Sequence, residues 1–572
     1  MAFGAKSNRF LYFLMWSLAV SINGSVYAQQ PSASRLTPPS FKPSAVSSPS
    51  KEINIRNSDS SRLVSNLSVK ISGTKLDGAF KEVEPETNGL LKEFASRRRT
   101  VTEIFQLAAT IEKVYARQGY VFARVVVPPQ SLKDGGTLRL RVVDGVINQI
   151  DAQGIPIQLR EIAISRLRTL VNRKHLKISD LERGLLLAAD IPGLSIKSAL
   201  TAGDQQGTTK LIVEGKYSQF NAAASISNDI PYDAGGWRRS FSINENSKLG
   251  IGEQAYFSLS SSILDPVPFS KQSQFTSLGI GFQSPVGNDG LSFNPEYSLT
   301  KTNLTFDNVQ PDVHQSFERA AFRFAYPIER LRTGNLNLGM ALEHIEESNS
   351  ITSGLIPVSE DEYWAYRFSI RKQFSVNQNM IDALINQSFG LGGRKATDAT
   401  VNTIPLSRFG SGPYFKKIDG QVHMYGPIND NYNFDVYSGF QYSFGTPLMQ
   451  SEQFSLDGPT AISGFDIGSL AVDTGFYARL EISRRIVFNR DVKNFILTPY
   501  IAVGSGWGLR TQPTSVEQRE IFAQSLSAGL KTEILSNNSA DGLKSGIEIG
   551  IGHLSQTNNF SWRITASLEA RF

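Results

Sequence analysis

The last thirteen residues of the chain alternate strictly between apolar and polar side chains. The apolar positions are Phe560, Trp562, Ile564, Ala566, Leu568, Ala570 and Phe572. A period of two predicts a β-strand with one apolar and one polar face, because successive side chains of a strand point to opposite sides. This length exceeds the ~5–6 residues usual in soluble proteins and matches the ~9–11 residues with which a tilted strand crosses a bilayer. The segment predicts a membrane-spanning strand; the alternative is a long amphipathic strand of a soluble β-sandwich.

The same period of two recurs from Tyr217 to the carboxyl terminus. It is most direct in residues 320–326, 336–342, 434–444, 526–530 and 547–551. With the apolar side chains towards lipid, the polar ones line a lumen, and closure into a barrel leaves no unpaired strand edge in the membrane. At ~22 residues per strand with its loop, residues 217–572 give about 16 strands, an even number as in bacterial barrels. The predicted fold class is therefore a transmembrane antiparallel β-barrel preceded by smaller domains.

The amino terminus predicts export. Lys6 and Arg9 precede an apolar run over residues 10–20, and Ala28 ends a short stretch suited to cleavage by a signal peptidase. Residues 1–28 are therefore predicted to be a signal peptide. No later run of 18 apolar residues follows, which excludes helical spans and leaves a barrel as the membrane fold for a chain with a mean hydropathy of −0.19.

A change in composition divides residues 29–216 into a linker and two folded units. Residues 29–68 are rich in Pro and Ser and have few apolar anchors, which predicts a mobile periplasmic linker. Residues 69–145 predict a β-α-β-β unit whose helix covers residues 101–118. Residues 146–216 predict a second unit of alternating strands and helices. Two consecutive units of this kind suggest a tandem repeat.

Composition narrows the function classes. The chain has no cysteine, as suits an oxidising compartment, and its net charge of +6 is scattered, which does not indicate nucleic-acid binding. The five histidines lack metal-ligand spacing, and the sequence contains neither a nucleophile motif nor a phosphate loop. The sequence thus predicts no enzymatic activity and no metal or cofactor.

Motifs in both amino-terminal units carry a family resemblance. The first unit has residues 115–120 (YARQGY), followed by 127–130 (VPPQ) and 136–145 (GTLRLRVVDG). The second has residues 179–185 (SDLERGL), which lead to 191–193 (IPG). These segments resemble the polypeptide-transport-associated (POTRA) domains of the two-partner secretion transporters, which form the haemolysin secretion/activation family.

The resemblance extends over residues 70–572 and implies a domain plan. Residues 244–254 (NENSKLGIGEQ) are similar to the first barrel hairpin of the family. The resemblance therefore implies that residues 69–145 are POTRA domain 1, that residues 146–216 are POTRA domain 2, and that residues 217–572 form the outer-membrane barrel.

A further group of residues resembles the family's lumenal loop. Family members fold one loop back into the barrel, and an arginine at its tip pairs with an aspartate on the lumen face of a nearby strand. The matching segment here is Ile462, Ser463, Gly464 and Phe465, with Ser463 in place of the arginine. Gly504 stands where the resemblance places the aspartate. The absence of both charges together agrees with the energetics of buried ion pairs, because losing one partner alone would leave an unpaired buried charge that costs several kcal/mol.

Arg479 and Glu481 lie one pleat apart on the strand that follows this loop. The apolar residues around them alternate with these charges, so both side chains are predicted to face the lumen. Two interpretations follow from the sequence. The charges either form a structural pair that satisfies itself or take part in gating.

The resemblance implies an outer-membrane transporter of a Gram-negative bacterium that captures an unfolded partner protein in the periplasm and exports it. The expected partner is a large secreted protein of the adhesin, haemolysin or haem-carrier-binding type. Further expected partners are outer-membrane lipid and the barrel assembly machinery, and no nucleic acid. The terminal Phe572 resembles the signal by which bacterial barrels are recognised for assembly. The alternatives are a barrel-insertion factor of the same superfamily, whose members usually have more POTRA domains, and a passive porin, which needs none.

Overall fold

The computed structural model describes residues 32–38, 67–205, 207–305, 312–351, 356–394, 404–489, 493–515, 517–536 and 542–572. The predicted signal peptide lies outside the described residues, as does most of the predicted linker. The part of that linker that is described contains a four-residue helix, α1 (Ala33–Leu36).

The first α/β unit has a four-stranded sheet in the order β2-β1-β4-β3. Its elements are β1 (Ser68–Asp77), α2 (Glu84–Phe94), β2 (Arg98–Thr100), α3 (Val101–Arg117), β3 (Arg124–Val126) and β4 (Gly136–Val143). Helix α3 begins at a capping box in which Thr100 and Glu103 exchange hydrogen bonds, and its apolar face packs into the core of the unit. The periodicity does not reveal α2, which contains Pro85 and Gly89 and only weak apolar spacing.

The second α/β unit has a three-stranded sheet in the order β5-β7-β6, covered by two helices. Its elements are β5 (Val146–Gly154), α4 (Ile157–Leu167), α5 (Ile178–Ala189), β6 (Leu194–Ala202) and β7 (Thr208–Tyr217). Helix α4 begins directly after Pro156, which suits the start of a helix because proline presets φ. Both units therefore pack helices on one small sheet.

The second unit is fixed to the barrel by arginines. Arg330, at the end of a barrel strand, donates hydrogen bonds of 2.9 and 2.6 Å to the Asp190 carboxylate beyond α5. In the opposite direction, Arg183 of α5 donates to the carbonyl oxygens of Pro327 at 2.9 Å and Asp289 at 3.1 Å. These bonds are charge-assisted and orient the unit against the strand turns at one end of the barrel.

The remaining strands close into an antiparallel barrel. They are β8 (Phe220–Ser227), β9 (Arg238–Asn246), β10 (Gln254–Ser262), β11 (Phe275–Pro285), β12 (Ser292–Leu304), β13 (Val313–Arg330), β14 (Gly334–Ile351), β15 (Ile356–Val376), β16 (Asn379–Gly393), β17 (Lys416–Pro427), β18 (Tyr432–Tyr442), the short loop pair β19 (Phe454–Ser455) and β20 (Ala471–Val472), then β21 (Thr474–Arg484), β22 (Ile486–Asn489), β23 (Lys493–Leu509), β24 (Glu520–Ser536), β25 (Gly542–Leu554) and β26 (Asn559–Arg571). Because β21 and β22 both pair with β23, they form one interrupted strand, and the barrel has 16 strands.

The barrel presents apolar side chains outwards and polar side chains inwards. Phe322, Met340 and Ile549 project from the outer face, whereas Glu343 and Arg479 are buried on the inner face. This is the arrangement that the alternating pattern predicts, and the predicted barrel of about 16 strands is confirmed.

The first and last barrel strands meet at a seam. Residues 223–227 of β8 pair with residues 567–571 of β26. Below this ladder, the backbone groups of Ala222 and Phe572 exchange hydrogen bonds of 3.1 and 2.9 Å. The terminal residue therefore belongs to the seam, and its aromatic side chain is exposed.

Candidate functional site

The long loop between β18 and β21, residues 443–473, folds back into the barrel. We call it the lumenal loop and residues 461–466 its tip. Its apolar side chains form a buried cluster against strands of the barrel wall, made of Leu456, Ala461, Ile462, Phe465, Leu470, Val472, Tyr477, Ile521, Ala523 and Leu554. The four predicted motif residues, Ile462, Ser463, Gly464 and Phe465, all lie in this tip and are all buried.

The loop holds its own shape. Strands β19 and β20 pair with each other and bring its two arms together. The buried Asp457 carboxylate accepts hydrogen bonds from the backbone N–H groups of Gly468 at 2.7 Å and Leu470 at 2.5 Å, and from the Ser455 hydroxyl at 3.0 Å. A carboxylate that accepts several donors fixes the arms of the loop without external support.

Glycines of the barrel wall make room for the tip. A Cβ added at Gly506 of β23 would lie 2.7 Å from the Ile462 side chain, and one added at Gly552 of β25 would lie 2.4 Å from the Phe465 ring. Gly464 requires glycine for two reasons: its φ of 95° is left-handed, and its Cα lies against the backbone of β25, where a side chain has no room. The tip thus fills a groove that side chains on these strands would close.

An arginine from the barrel wall anchors the tip. Arg479 of β21 is 1% exposed, and its Nη1 donates to Ser463 Oγ at 3.0 Å. The same guanidinium bonds both carboxylate oxygens of Glu548 at 3.3 and 2.7 Å. Tyr500 donates its hydroxyl proton to Glu548 at 2.6 Å. The buried charges are therefore paired, and the loop contributes a neutral hydroxyl where the resemblance implies an arginine.

The other two predicted residues of this region lie beside the same network. Glu481 is buried on the inner face, is ion-paired with Lys531, and lies 3.8 Å from Arg479. Gly504 faces Arg479 across the ladder between β21 and β23. A Cβ at Gly504 would lie 2.8 Å from Ser525 Oγ and 3.1 Å from the carbonyl oxygen of Ala461, so an aspartate here would require both Ser525 and the loop backbone to shift.

The last strand also holds the tip. Ser561 of β26 donates to the carbonyl oxygen of Gly464 at 2.7 Å. Arg563 donates to the carbonyl oxygen of Phe465 at 3.2 Å and lies 3.2 Å from the Asp466 carboxylate. The tip is therefore bound from β21, β25 and β26 together.

The two ends of the loop are fixed by separate buried ion pairs. Glu452 is paired with Arg367 at 2.6 Å and with Lys417 at 2.9 Å. Asp473 is paired with Arg408 at 2.6 Å. Removing one partner of such a pair leaves an uncompensated buried charge, so these contacts resist withdrawal of the loop.

A short amino-terminal segment, residues 32–38, lies inside the barrel against the lumenal loop. Ala33 and Leu36 are buried against apolar residues of the wall and loop. Arg35 donates to the carbonyl oxygens of Gln450 at 3.1 Å and Gly468 at 3.0 Å, one in each arm of the loop. This described part of the predicted linker is therefore packed in the lumen, through the apolar side chains of Ala33 and Leu36 and the hydrogen bonds of Arg35.

Several residues of the site were not predicted. Glu548, Ser561 and Arg563 occupy polar positions of alternating strands, so the period of two places them on the lumen face. It does not show which lumenal residues meet the loop, because that depends on how the loop folds. Arg35 had no periodic signal around it.

One further group of potential metal ligands lies on the outer barrel face. Ligand atoms of His344, Glu346 and Glu362 all lie within 4.8 Å of one another. The two imidazole nitrogens face different carboxylates, with Nδ1 3.5 Å from Glu346 and Nε2 3.6 Å from Glu362. The imidazole ring therefore lies between the two carboxylates, with one nitrogen towards each. In this arrangement no single ring nitrogen points, together with both carboxylates, at one metal position.

A barrel with an inserted loop and two α/β units can be compared with known families. Residues 207–532 match the profile described as haemolysin secretion/activation protein ShlB/FhaC/HecB, which covers more than half of the chain. The chain belongs to this family. Residues 69–145 match the ShlB-type POTRA domain. The protein is thus an outer-membrane transporter of the two-partner secretion type, with its POTRA region in the periplasm.

Individual relatives are distant but extend over most of the chain. The heme/hemopexin transporter protein HuxB of Haemophilus influenzae (strain 86-028NP) is 22% identical, covering 78% of each chain. The hemolysin transporter protein ShlB of Serratia marcescens is 22% identical over 82% of this chain and 83% of its own. The structure of CdiB from Escherichia coli has a TM-score of 0.72 at 17% identity and covers 91% of this chain and 94% of its own. None of the helices that the structure describes is long and apolar enough to cross a membrane.

Proposed function

We propose that this transporter captures an unfolded secreted protein at β6 of the second α/β unit and passes it through the lumen once the lumenal loop has moved. The client is a large secreted protein of the adhesin, haemolysin or haem-carrier-binding type, in line with the names of the relatives, a heme/hemopexin transporter protein and a hemolysin transporter protein. Its role is transport and not catalysis, and the buried charges of the lumen serve to hold the loop.

The observation that carries the capture step is the open edge of β6. This nine-residue strand pairs with β7 along one side. On its other side, the one backbone hydrogen bond among the described residues is made at its first residue, where the Leu194 N–H donates to the carbonyl oxygen of Ile191 at 3.0 Å. An exposed edge can add an extended peptide as a further strand, with main-chain hydrogen bonds that do not demand one sequence.

The other sheet edges of the two units are short or partly covered. Strand β2 has three residues, and the N–H of Thr100 donates to the Glu103 carboxylate at 2.7 Å. Strand β3 has three residues, and the N–H of Val125 donates to the Glu112 carboxylate of α3 at 3.2 Å. Strand β5 is covered where Ile147 bridges Val171 and accepts a hydrogen bond from the Asn172 N–H at 2.8 Å. Among the described residues, β6 therefore offers the longest open edge for strand addition.

The experiment is site-specific photocrosslinking during secretion of the client from cells. A photoreactive residue at Ser198 of β6 is expected to crosslink the client, whereas one at Val126 on the short, partly covered edge of β3 is the matched control and is expected not to. Equal crosslinking at both positions, or at neither, would reject capture at β6.

Deletion of residues 69–216 separates the transporter from the alternatives. The proposal expects loss of client secretion with a folded, conducting barrel left in the membrane. Unimpaired secretion would favour a porin-like pore, and loss of other outer-membrane proteins with unaffected client secretion would favour a barrel-insertion factor.

A further inference from the structure

The extracellular part of the barrel seam lacks the ladder that joins other neighbouring strands. Strand β26 pairs along its whole length, Asn559–Arg571, with β25. On its other side the ladder with β8 ends at Ser567, opposite Ser227. Residues 559–566 therefore need another means of attachment to the first strand.

Asn228 supplies part of that attachment with its side chain. Its Oδ1 accepts from the Ala566 N–H at 2.6 Å, and its Nδ2 donates to the carbonyl oxygen of Ile564 at 2.8 Å. Its backbone N–H donates to the carbonyl oxygen of Ala566 at 3.1 Å. One asparagine thus extends the seam by about one residue pair beyond the ladder.

Arg563 continues the attachment and also reaches the lumenal loop. Its Nη2 donates to the carbonyl oxygens of Asn228 at 2.9 Å and Ile230 at 3.4 Å, both beyond the end of β8. Its Nη1 donates to the carbonyl oxygen of Phe465 in the loop tip at 3.2 Å. A single guanidinium, 11% exposed, therefore joins the first strand, the last strand and the tip.

We propose that Arg563 is a positioning residue through which the seated lumenal loop holds the extracellular half of the seam closed. With the loop in place, the guanidinium is held in one orientation by acceptors on both sides, because its donors form a rigid fork. When the tip leaves, Phe465 and Asp466 no longer fix it. Asn228 then remains as the main link above the ladder, so the seam can open where the barrel has fewest backbone bonds.

This coupling gives the loop a second effect besides filling the lumen. Withdrawal of the tip would clear the passage and also let the wall widen beside it. The coupling between loop and seam does not depend on the client; its use in export rests on the proposed function.

The test measures seam width by electron paramagnetic resonance on purified, full-length protein in lipid nanodiscs, without client. The chain has no native cysteine, so introduced pairs label uniquely. Tyr232→Cys with Ile564→Cys places labels on the two sides of the extracellular seam, beyond the end of the ladder between β8 and β26. Ile549→Cys with Ile564→Cys reports the continuous ladder between β25 and β26 as a control.

The expected result is a single short distance across the seam in the parent protein and an added longer population in Arg563→Gln. Gly464→Val is expected to give the same change with Arg563 intact, because its side chain would collide with the β25 backbone and unseat the tip. The double variant should show no larger long-distance population than either single variant, because both substitutions break the same link between Arg563 and the tip. The control pair should keep its short distance.

Arg371→Gln is the matched control variant, because it removes an arginine that pairs with Asp382 elsewhere in the wall. A short seam distance in both Arg563→Gln and Gly464→Val would overturn the proposal. An equally broadened distance distribution at the control pair, or at the seam in Arg371→Gln, would also overturn the proposal, because it would show a general loosening of the barrel. Should Arg563→Gln not assemble, Gly464→Val and Asp466→Asn decide by the same criterion.

Discussion

The Arg479 guanidinium donates a hydrogen bond of 3.0 Å to Ser463 Oγ, so the arginine that anchors the lumenal loop belongs to the barrel wall. Family resemblance implies the opposite arrangement, with arginine in the loop and a carboxylate in the wall. Here the wall supplies the arginine and also its carboxylate partner, Glu548. At this contact the loop contributes only a neutral hydroxyl, so the pair between Arg479 and Glu548 stays intact when the tip leaves.

Replacing Arg479 by alanine should destabilise the barrel and loosen the tip. The change leaves the buried Glu548 carboxylate with the Tyr500 hydroxyl but without its cation, which costs about 3–5 kcal/mol for a buried pair. Thermal unfolding and protease cleavage in the loop are the measurements. Arg371→Ala is the control, since its partially exposed pair with Asp382 should contribute far less. Equal stability of the two variants would contradict the assigned role of Arg479.

An arginine at position 463 of the loop should be tolerated only when the arginine at position 479 of the wall is removed. Ser463→Arg alone places two guanidinium groups together and should destabilise the tip. In Ser463→Arg with Arg479→Ser, the loop arginine can pair with Glu548, so the double variant should recover part of the loss. In double-mutant cycles, residues in contact have interaction energies of ~0.5–3 kcal/mol. Thermal stability of the parent, both single variants and the double variant measures this, and additive effects would rule out the inverted arrangement.

Adding an aspartate at Gly504 should not rescue Ser463→Arg. Although Gly504 faces the tip, Ser525 and the backbone of Ala461 fill the space that a side chain would need. The substitution should therefore lower stability both alone and in combination. Recovery of stability by Gly504→Asp would show that this part of the wall adapts and that the family's usual pairing is accessible here.

Deletion and substitution of Phe572 should separate two roles of the terminal residue. Deletion removes the backbone pair with Ala222 and shortens the seam, whereas Phe572→Ala keeps those hydrogen bonds and removes only the ring. If the aromatic ring is an assembly signal, both variants should lower the amount of heat-modifiable barrel at unchanged synthesis. Normal assembly of Phe572→Ala with poor assembly of the deletion would assign the effect to seam closure instead.

The barrel and the order of its strands follow from local patterns in the sequence. Alternation in residues 547–551 and 560–572 sets the outer face, because lipid accepts only one of the two faces of each strand. The helix α3 is likewise predicted close to its observed bounds, with residues 101–118 expected and Val101–Arg117 found, since its apolar spacing is regular. The helix α2 is missed because tertiary packing, not its weak periodicity, holds it.

The site is predicted only in part, because its contacts join residues far apart in the chain. The motif at residues 462–465 and the inward direction of Arg479 can be read from sequence. The pairing of Arg479 with Glu548 cannot be read from the sequence. Arg479 lies on β21 and Glu548 on β25, and β23 and β24 lie between them in the chain. The same holds for Arg35, which meets a loop more than four hundred residues away.

If the lumenal loop closes the export pathway, it must move for export, and a disulfide that holds it in place tests this requirement. A Cβ at Gly550 would lie 3.2 Å from Ser463 Cβ and 2.9 Å from the Gly464 nitrogen, so the tip must shift by a few tenths of an ångström. That shift brings the two Cβ atoms to the ~3.5–4.5 Å of a disulfide, so Ser463→Cys with Gly550→Cys can lock the tip to β25. The measurement is client secretion from cells with the lock oxidised and after reduction, with each single cysteine variant as control. Secretion is expected to stop in the oxidised double variant and to return on reduction. Undiminished secretion with the tip demonstrably crosslinked would contradict this requirement.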